Sequence, residues 1–240
     1  MGETGDVCTV EAPAKLTLSL RVVGVRDDGY HLIESEMVTV DLCDRLSFAA
    51  GDGLVVIGRP MVGENLVTRA LTAVGRKASV RLEKRIPAGA GLGGGSADAA
   101  AVLRWAGCGD VGVAVALGAD VPFCVLGGRA MVGGVGEVVA PLPFEARIFT
   151  LLTPPVPVAT AAVYRAWDEL GGPTGDAGND LEPAVLVVAP GLAAWRDRLA
   201  DATGQRPRLA GSGSTWFVEG DFPGDGRVVV RSLPAAVQRF

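Results

Sequence analysis

Histidine is nearly absent: His31 stands alone in 240 residues. A metal site built from several histidines is thereby excluded, and any Ser-His-Asp arrangement would have to use that one ring. Cysteine is sparse too. Cys8, Cys43, Cys108 and Cys124 are scattered with no C-x-x-C pair, which reads as reduced thiols in a cytosolic protein. No basic block occurs and the net charge is −5, so neither nucleic acid nor an anionic membrane is expected as a partner. Apolar runs such as VLVVA at 185–189 fall far short of the ~20 residues a membrane span needs. The opening MGETGDVC is acidic and lacks the basic and apolar regions of a secretion signal. A cytoplasmic protein, monomer or homodimer, is the expectation.

What the chain does have is glycine. Its 34 glycines are twice the usual share of about 7%, which points to turns and close backbone approaches to a ligand. With 49% apolar and 20% charged residues it is otherwise an ordinary folding chain with enough length for a sizeable core. Leu16, Leu18, Leu20 and Val22 alternate with Thr17, Ser19 and Arg21 as in a strand, and "DDGYH" reads as a turn into a second one, 33–40. Segments 45–48 and 54–57 look like a strand pair joined through the Gly51–Gly53 turn. Residues 65–74 carry Leu66, Ala70, Leu71 and Val74 at helical spacing behind Asn65 as N-cap, and 78–82 is a short strand. Ser96 is the expected cap of a helix over 96–105. Pro122 in "GADVPF" sits where a long helix cannot continue. From Ala140 the texture becomes proline-rich, then helices at 160–170 and 191–202 alternate with strands at 215–218 and 228–230. Trp105, Trp167 and Trp195 read as core fillers.

The densest stretch is "RIPAGAGLGGGSADAAAVLRW", 85–105, with Gly89, Gly91, Gly93, Gly94 and Gly95 ahead of an alanine-rich run. A P-loop would need a lysine after the glycines, and none follows. A dinucleotide fingerprint, G-x-G-x-x-G, fits at Gly89, Gly91 and Gly94, but the upstream residues do not alternate as βαβ units. Backbone physics alone suggests a third reading. Glycines let the main chain approach a ligand closely, and the free N–H groups and dipole of a helix start favour an anion. A polyphosphate is the natural guest.

Five segments, "APAKLTLSL", "DDGYH", "IPAGAGLGGGSADAA", "LGADVPF" and "AGSGSTWF", occur in the order found in the GHMP kinases. The chain most resembles the branch that phosphorylates the 2-hydroxyl of a cytidine-diphosphate-linked methylerythritol in non-mevalonate isoprenoid synthesis. The resemblance implies an α+β fold in two parts: 1–145 like ribosomal protein S5 domain 2, and 146–240 ferredoxin-like. It implies ATP with Mg2+ as cofactors, the phosphates lying on Pro87, Ala88, Gly89, Ala90, Gly91, Leu92, Gly93, Gly94, Gly95, Ser96 and Ala97, with Asn65 and Lys84 on the nucleotide side. Asp120 would be the catalytic base, and Lys15 would orient it or meet the transferring phosphate. Tyr30 and His31 would clamp the cytidine, while Thr17 and the turn Gly211, Ser212, Gly213 would meet the acceptor.

Two positions depart from the family pattern: Thr17 replaces an asparagine, and Ala97 replaces a serine. The chain is also shorter than typical members, mostly around 57–78 and beyond 145. An active kinase, a non-catalytic binder of ATP or a metabolite, and a kinase for another alcohol all fit these residues. Lys15 and Asp120 favour a kinase, since a binder has no need of a base.

Overall fold

The computed structural model describes residues 7–58 and 65–235; the acidic opening residues 1–6 lie outside them. Two long antiparallel strands begin the fold, β1 (Cys8–Val25) and β2 (His31–Ala49). The turn between them is closed by Arg26 N donating to Tyr30 O at 2.8 Å, with the Asp28 carboxylate accepting from Tyr30 N at 3.3 Å. That is the local bonding an Asp-Gly turn is chosen for.

The expected hairpin between 45–48 and 54–57 does not form. β3 (Gly53–Gly58) runs parallel to β4 (Ser79–Lys84), and β4 takes the place beside residues 45–49 of β2. The connection crosses over through α1 (Leu66–Ala73), so the glycine turn at 51–53 carries the chain past an open slot instead of back onto β2. Turn chemistry alone cannot say which strand will fill that slot. β2 therefore has β1 along one edge and divides the other between β4 and β5 (Arg129–Gly134), which is followed by the edge strand β6 (Val138–Leu142). With one parallel pair in a mainly antiparallel sheet, this is not a doubly wound dinucleotide-binding fold, and the G-x-G-x-x-G reading falls with it.

Alternation in β1 also breaks down in the middle. Leu16, Leu18 and Leu20 are buried as expected, yet so are Lys15 and Thr17. Bulges between Pro13 and Lys15 and between Thr17 and Ser19 bracket this stretch. The face that would otherwise meet water is covered by Gly93 and Gly211, which lie against Lys15 and Thr17.

On the other side of the sheet lie α1, α2 (Gly94–Ala106), α3 (Val111–Leu117) and α4 (Val121–Leu126). Asn65 caps α1 as expected, its side chain accepting from Val67 N at 2.8 Å. Ser96 does not cap α2. The helix begins two residues earlier, behind Gly93 in the left-handed conformation at φ 67°, which a serine would enter only with strain. Ala97, Ala99, Ala100, Ala101, Val102 and Leu103 of α2 are fully buried, the small alanines letting the helix lie close to its neighbours. Pro122 sits in the first turn of α4, where its missing N–H costs nothing.

The second sheet, ordered β10-β7-β9-β8, is antiparallel throughout. It comprises β7 (Ile148–Leu152), β8 (Arg208–Leu209), β9 (Trp216–Glu219) and β10 (Arg227–Arg231), with α5 (Thr160–Glu169), α6 (Glu182–Val188) and α7 (Leu192–Thr203) packed on it. Trp167 and Trp195 pack on this core, and Trp105 stacks on Phe48 in the first at 4.4 Å. Leu20 and Ile33, from β1 and β2, belong to the second core, so apolar packing is continuous where the two sheets meet.

Candidate active site

A cleft of about 1320 Å³ opens between the two sheets. Its floor is the loop from β4 to α2. Three carbonyls of this loop are taken by three different elements: Leu92 O by Lys15 N of β1 at 3.1 Å, Ala90 O by Thr215 N at 3.2 Å, and Gly89 O by Val158 N at 3.2 Å. Glycine is required where the loop meets the far turn. A Cβ on Gly91 (φ 76°) would overlap the Ala210 carbonyl oxygen and crowd Gly213. The first turn of α2, Gly94 to Ser96, lines the cleft and carries no acidic residue, so its N–H groups present an unopposed positive end.

Beside that turn stands the Lys15–Asp120 pair. The lysine Nζ is 3.4 Å from Asp120 Oδ2 and donates to Thr17 Oγ1 at 2.9 Å. Its stem runs against Gly93, where a Cβ would come within 2.8 Å of Lys15 Cγ. Asp120 occupies the N-cap position of α4 but makes no capping bond with its side chain. Its carboxylate faces the lysine, one third exposed, while the lysine is 6% exposed. The aspartate is thus not explained as a helix cap.

His31 lies across the cleft on β2. Its Nε2 is 2.7 Å from Asp168 Oδ1, and its ring meets Tyr164 at 4.6 Å and Trp167 edge-on at 5.5 Å. Tyr30 beside it is exposed, with the Arg26 guanidinium 5.6 Å from its ring centre. Burial, and secondarily the Asp120 charge, push the Tyr164 phenol well above the ordinary range, so it stays protonated.

Several expected site residues take other places. Pro87 to Ser96 line the cleft, but Ala97 does not: it is buried in the core and its N–H is bonded to Gly93 O at 2.8 Å. Thr17 is fully buried, is absent from the cleft lining, and accepts from Lys15 through its hydroxyl. Gly211 and Ser212 line the cleft, whereas Gly213 backs onto Leu209 and Val185. Asn65 borders the cleft while capping α1.

Lys84 edges the cleft with its ammonium turned inward. It pairs with Asp44 and, at 2.7 Å, with Asp98, and all three side chains are buried. Asp44 in turn accepts from the N–H groups of Arg85 and Ile86, fixing the corner where the glycine loop leaves β4. Burial raises the Asp98 carboxyl to about 7 despite Lys84, with Asp44 adding to the rise, and its Oδ1 has no partner.

Asn179 and Asp180 were not anticipated. Asn179 donates to Leu209 O at 3.0 Å and Gly211 O at 2.7 Å, while Asp180 accepts from Val22 N at 3.0 Å and pairs with Arg21. The pair ties the Gly211 turn to β1, and no local pattern around "GND" announced it.

Residues 65–108 match the pattern of the GHMP kinases N terminal domain. A protein of Paracoccus denitrificans named 4-diphosphocytidyl-2-C-methyl-D-erythritol kinase is 38% identical over 231 residues, covering 86% of this chain and 84% of its own. One of the same name from Pelotomaculum thermopropionicum is 40% identical, with 88% of each chain covered. A solved 4-(cytidine 5'-diphospho)-2C-methyl-D-erythritol kinase superposes with a TM-score of 0.75 at 32% identity, covering 94% of this chain and 99% of its own. A mevalonate kinase, 12% identical with a TM-score of 0.57, shares the fold.

Two outcomes follow from this geometry. Gly91→Ala should cost at least ~1–2 kcal/mol from its left-handed backbone alone, plus the overlap with Ala210, read as a lower denaturation midpoint. An unchanged midpoint would mean that the turn gives way freely. Asp98 holds its proton more firmly folded than unfolded, so its contribution to stability is full below the ordinary value of 3.8 and fades as pH rises towards about 7. Asp98→Asn removes that loss, and should raise the melting temperature at pH 8 relative to wild type while changing it little at pH 4. Parallel curves for the two proteins across this range would contradict the assignment.

Proposed function

The chain belongs to the 4-diphosphocytidyl-2-C-methyl-D-erythritol kinases of the GHMP superfamily, and we propose that it moves the γ-phosphoryl group of ATP to the 2-hydroxyl of that cytidylated alcohol. The observation that carries this reading is the Lys15–Asp120 pair beside the glycine-loop helix, with His31 across the same cleft. We take residues 1–145 and 146–240 as the two units of the enzyme, in keeping with β6 ending at Leu142 and β7 starting at Ile148.

In this reading the ATP phosphates lie against Gly89 to Ser96 and the N–H groups of the first turn of α2. The acceptor's 2-hydroxyl oxygen attacks the γ-phosphorus, the bond to the β-bridging oxygen breaks, and ADP leaves. Asp120 takes the hydroxyl proton, and Lys15 holds that carboxylate in place while offsetting charge on the transferring group. Lys15 is itself held by Thr17, whose hydroxyl accepts a hydrogen bond from its ammonium. Tyr30 and His31 hold the cytidine, and Lys84 supports the loop from below.

Mg2+ fits this site as a companion of the phosphates. The described residues hold no cluster of three His, Cys, Asp or Glu that could bind a metal unaided. Ser96 Oγ has no hydrogen-bond partner among them and lines the cleft with the Asp120 carboxylate, the sparse oxygen set that suits a phosphate-borne magnesium. When bound, the ion neutralises phosphate charge.

Turnover should appear with 4-diphosphocytidyl-2-C-methyl-D-erythritol and not with mevalonate, phosphomevalonate or homoserine, measured as ADP release with ATP and magnesium. A folded, ATP-binding chain silent on all four would favour the non-catalytic reading. Asp120→Ala should lower kcat by ~10²–10⁴ while ATP still protects against thermal unfolding. A near wild-type rate would remove the base. His31→Ala should raise KM for the cytidylated substrate far more than for ATP; equal effects would remove the clamp.

A further inference from the structure

We propose that Arg165 binds the diphosphate of the acceptor and so selects a nucleoside-diphosphate-linked alcohol over a bare one. The proposal rests on the cytidylated substrate argued above and names the residue that reads its charged middle.

Among the described residues, five cationic side chains border the cleft: Lys15, Arg26, Arg69, Lys84 and Arg165. Four are engaged. Lys15 is held by Asp120 and Thr17, Lys84 by Asp44 and Asp98, and Arg26 by Asp28, while Arg69 donates to Ala116 O at 3.1 Å. Arg165 is exposed and has no hydrogen bond or ion pair among the described residues. An arginine left unpaired on a cavity wall carries its full charge and a planar fork of donors, suited to two phosphate oxygens at once.

Its position on α5 gives the second argument. Thr160, Ala161, Tyr164, Arg165 and Asp168 all border the cleft, the spacing of one helical stripe. At one end Thr160 Oγ1 meets Ser212 Oγ at 2.8 Å, next to Gly211, which abuts Lys15 Nζ. At the other end Asp168 is bonded to His31. Eight residues of helix cover about 12 Å between the transfer end and the base end. A substrate with cytosine at one end and the reacting hydroxyl at the other places its diphosphate in between, and Arg165 is the stripe's cation.

Charge is the third argument. The chain carries −5 overall, and Asp120, Glu137 and Asp168 border the same cleft. An added diphosphate meets repulsion from these carboxylates unless an unpaired cation offsets it.

The test is calorimetric binding of cytidine and of CDP to wild type, Arg165→Ala and Arg165→Lys, with a non-hydrolysable ATP analogue saturating the donor side. Wild type should bind CDP roughly tenfold more tightly than cytidine. Arg165→Ala should lose that preference with its cytidine affinity, ADP affinity and melting temperature unchanged, and Arg165→Lys should retain part of it. An alanine variant that keeps the full preference overturns the role of Arg165 alone. A variant weakened for ADP and not for CDP assigns the arginine to the donor and also overturns it. Wild type that binds neither cytidine nor CDP overturns the cytidylated substrate together with the arginine's role.

Discussion

Everything at this site hangs on the glycine loop's carbonyls being taken from three directions. Leu92 O is held by β1, Ala90 O by the turn before β9, and Gly89 O by the segment leading into α5. Ala90 and Leu92 are buried, where main-chain oxygens need partners, and each of the three partners comes from a different part of the chain. The loop thus fixes Lys15, the Gly211 turn and α5 relative to one another. Glycine makes this possible twice over, by permitting the left-handed turns at Gly91 and Gly93 and by leaving room for the Ala210 carbonyl and the Lys15 stem.

Below the loop the chain accepts a cost. Two buried carboxylates share one lysine, and an Asp98 oxygen is left without a partner. Desolvation makes such a cluster a poor source of stability. Its return is positional: Asp44 bonds two successive N–H groups at the corner where β4 becomes the loop, and Lys84 ties that corner to the start of α2. A purely apolar filling would pack as well but would leave those N–H groups unbonded.

What could be read from the sequence was whatever lies within a short contiguous segment. Lys15, Asp120, the glycines 89 to 95 and the Tyr30–His31 pair stand in short runs, and the structure sets them all around one cleft. α1, α2, α5 and α7 were legible for the same reason, down to the Asn65 cap, whereas α3, α4 and α6, at six or seven residues, are too short to show a helical period. The residues that were missed act across long separations. Asp168 reaches His31 from 137 residues away, Asp180 reaches Val22 from 158, and Asp44 reaches Lys84 from 40. Nothing beside Asp168 or Asp180 marks them, since an exposed helix and a glycine-rich loop would carry an aspartate anyway. The β3 pairing failed likewise, because a turn specifies a reversal of direction but not the neighbour that follows. Ser96 was misplaced because a left-handed glycine can open a helix where a side-chain cap would ordinarily be sought.

The same division between backbone and side chain separates Thr17 and Ala97 from the residues that line the cleft. On the proposed reading phosphate recognition rests on N–H groups and a helix start, which no side chain supplies. Ala97 sits behind that surface in the core, so a hydroxyl lost there subtracts nothing from the cleft. Thr17 is absent from the cleft lining, and its hydroxyl accepts a hydrogen bond from Lys15, as an amide oxygen also could. Acceptor recognition is different in kind. On the proposed reading it is built from the side chains of Tyr30, His31 and α5, on a helical stripe that borders the cleft. Substitutions along that stripe can therefore change which alcohol is taken while the phosphate floor stays as it is.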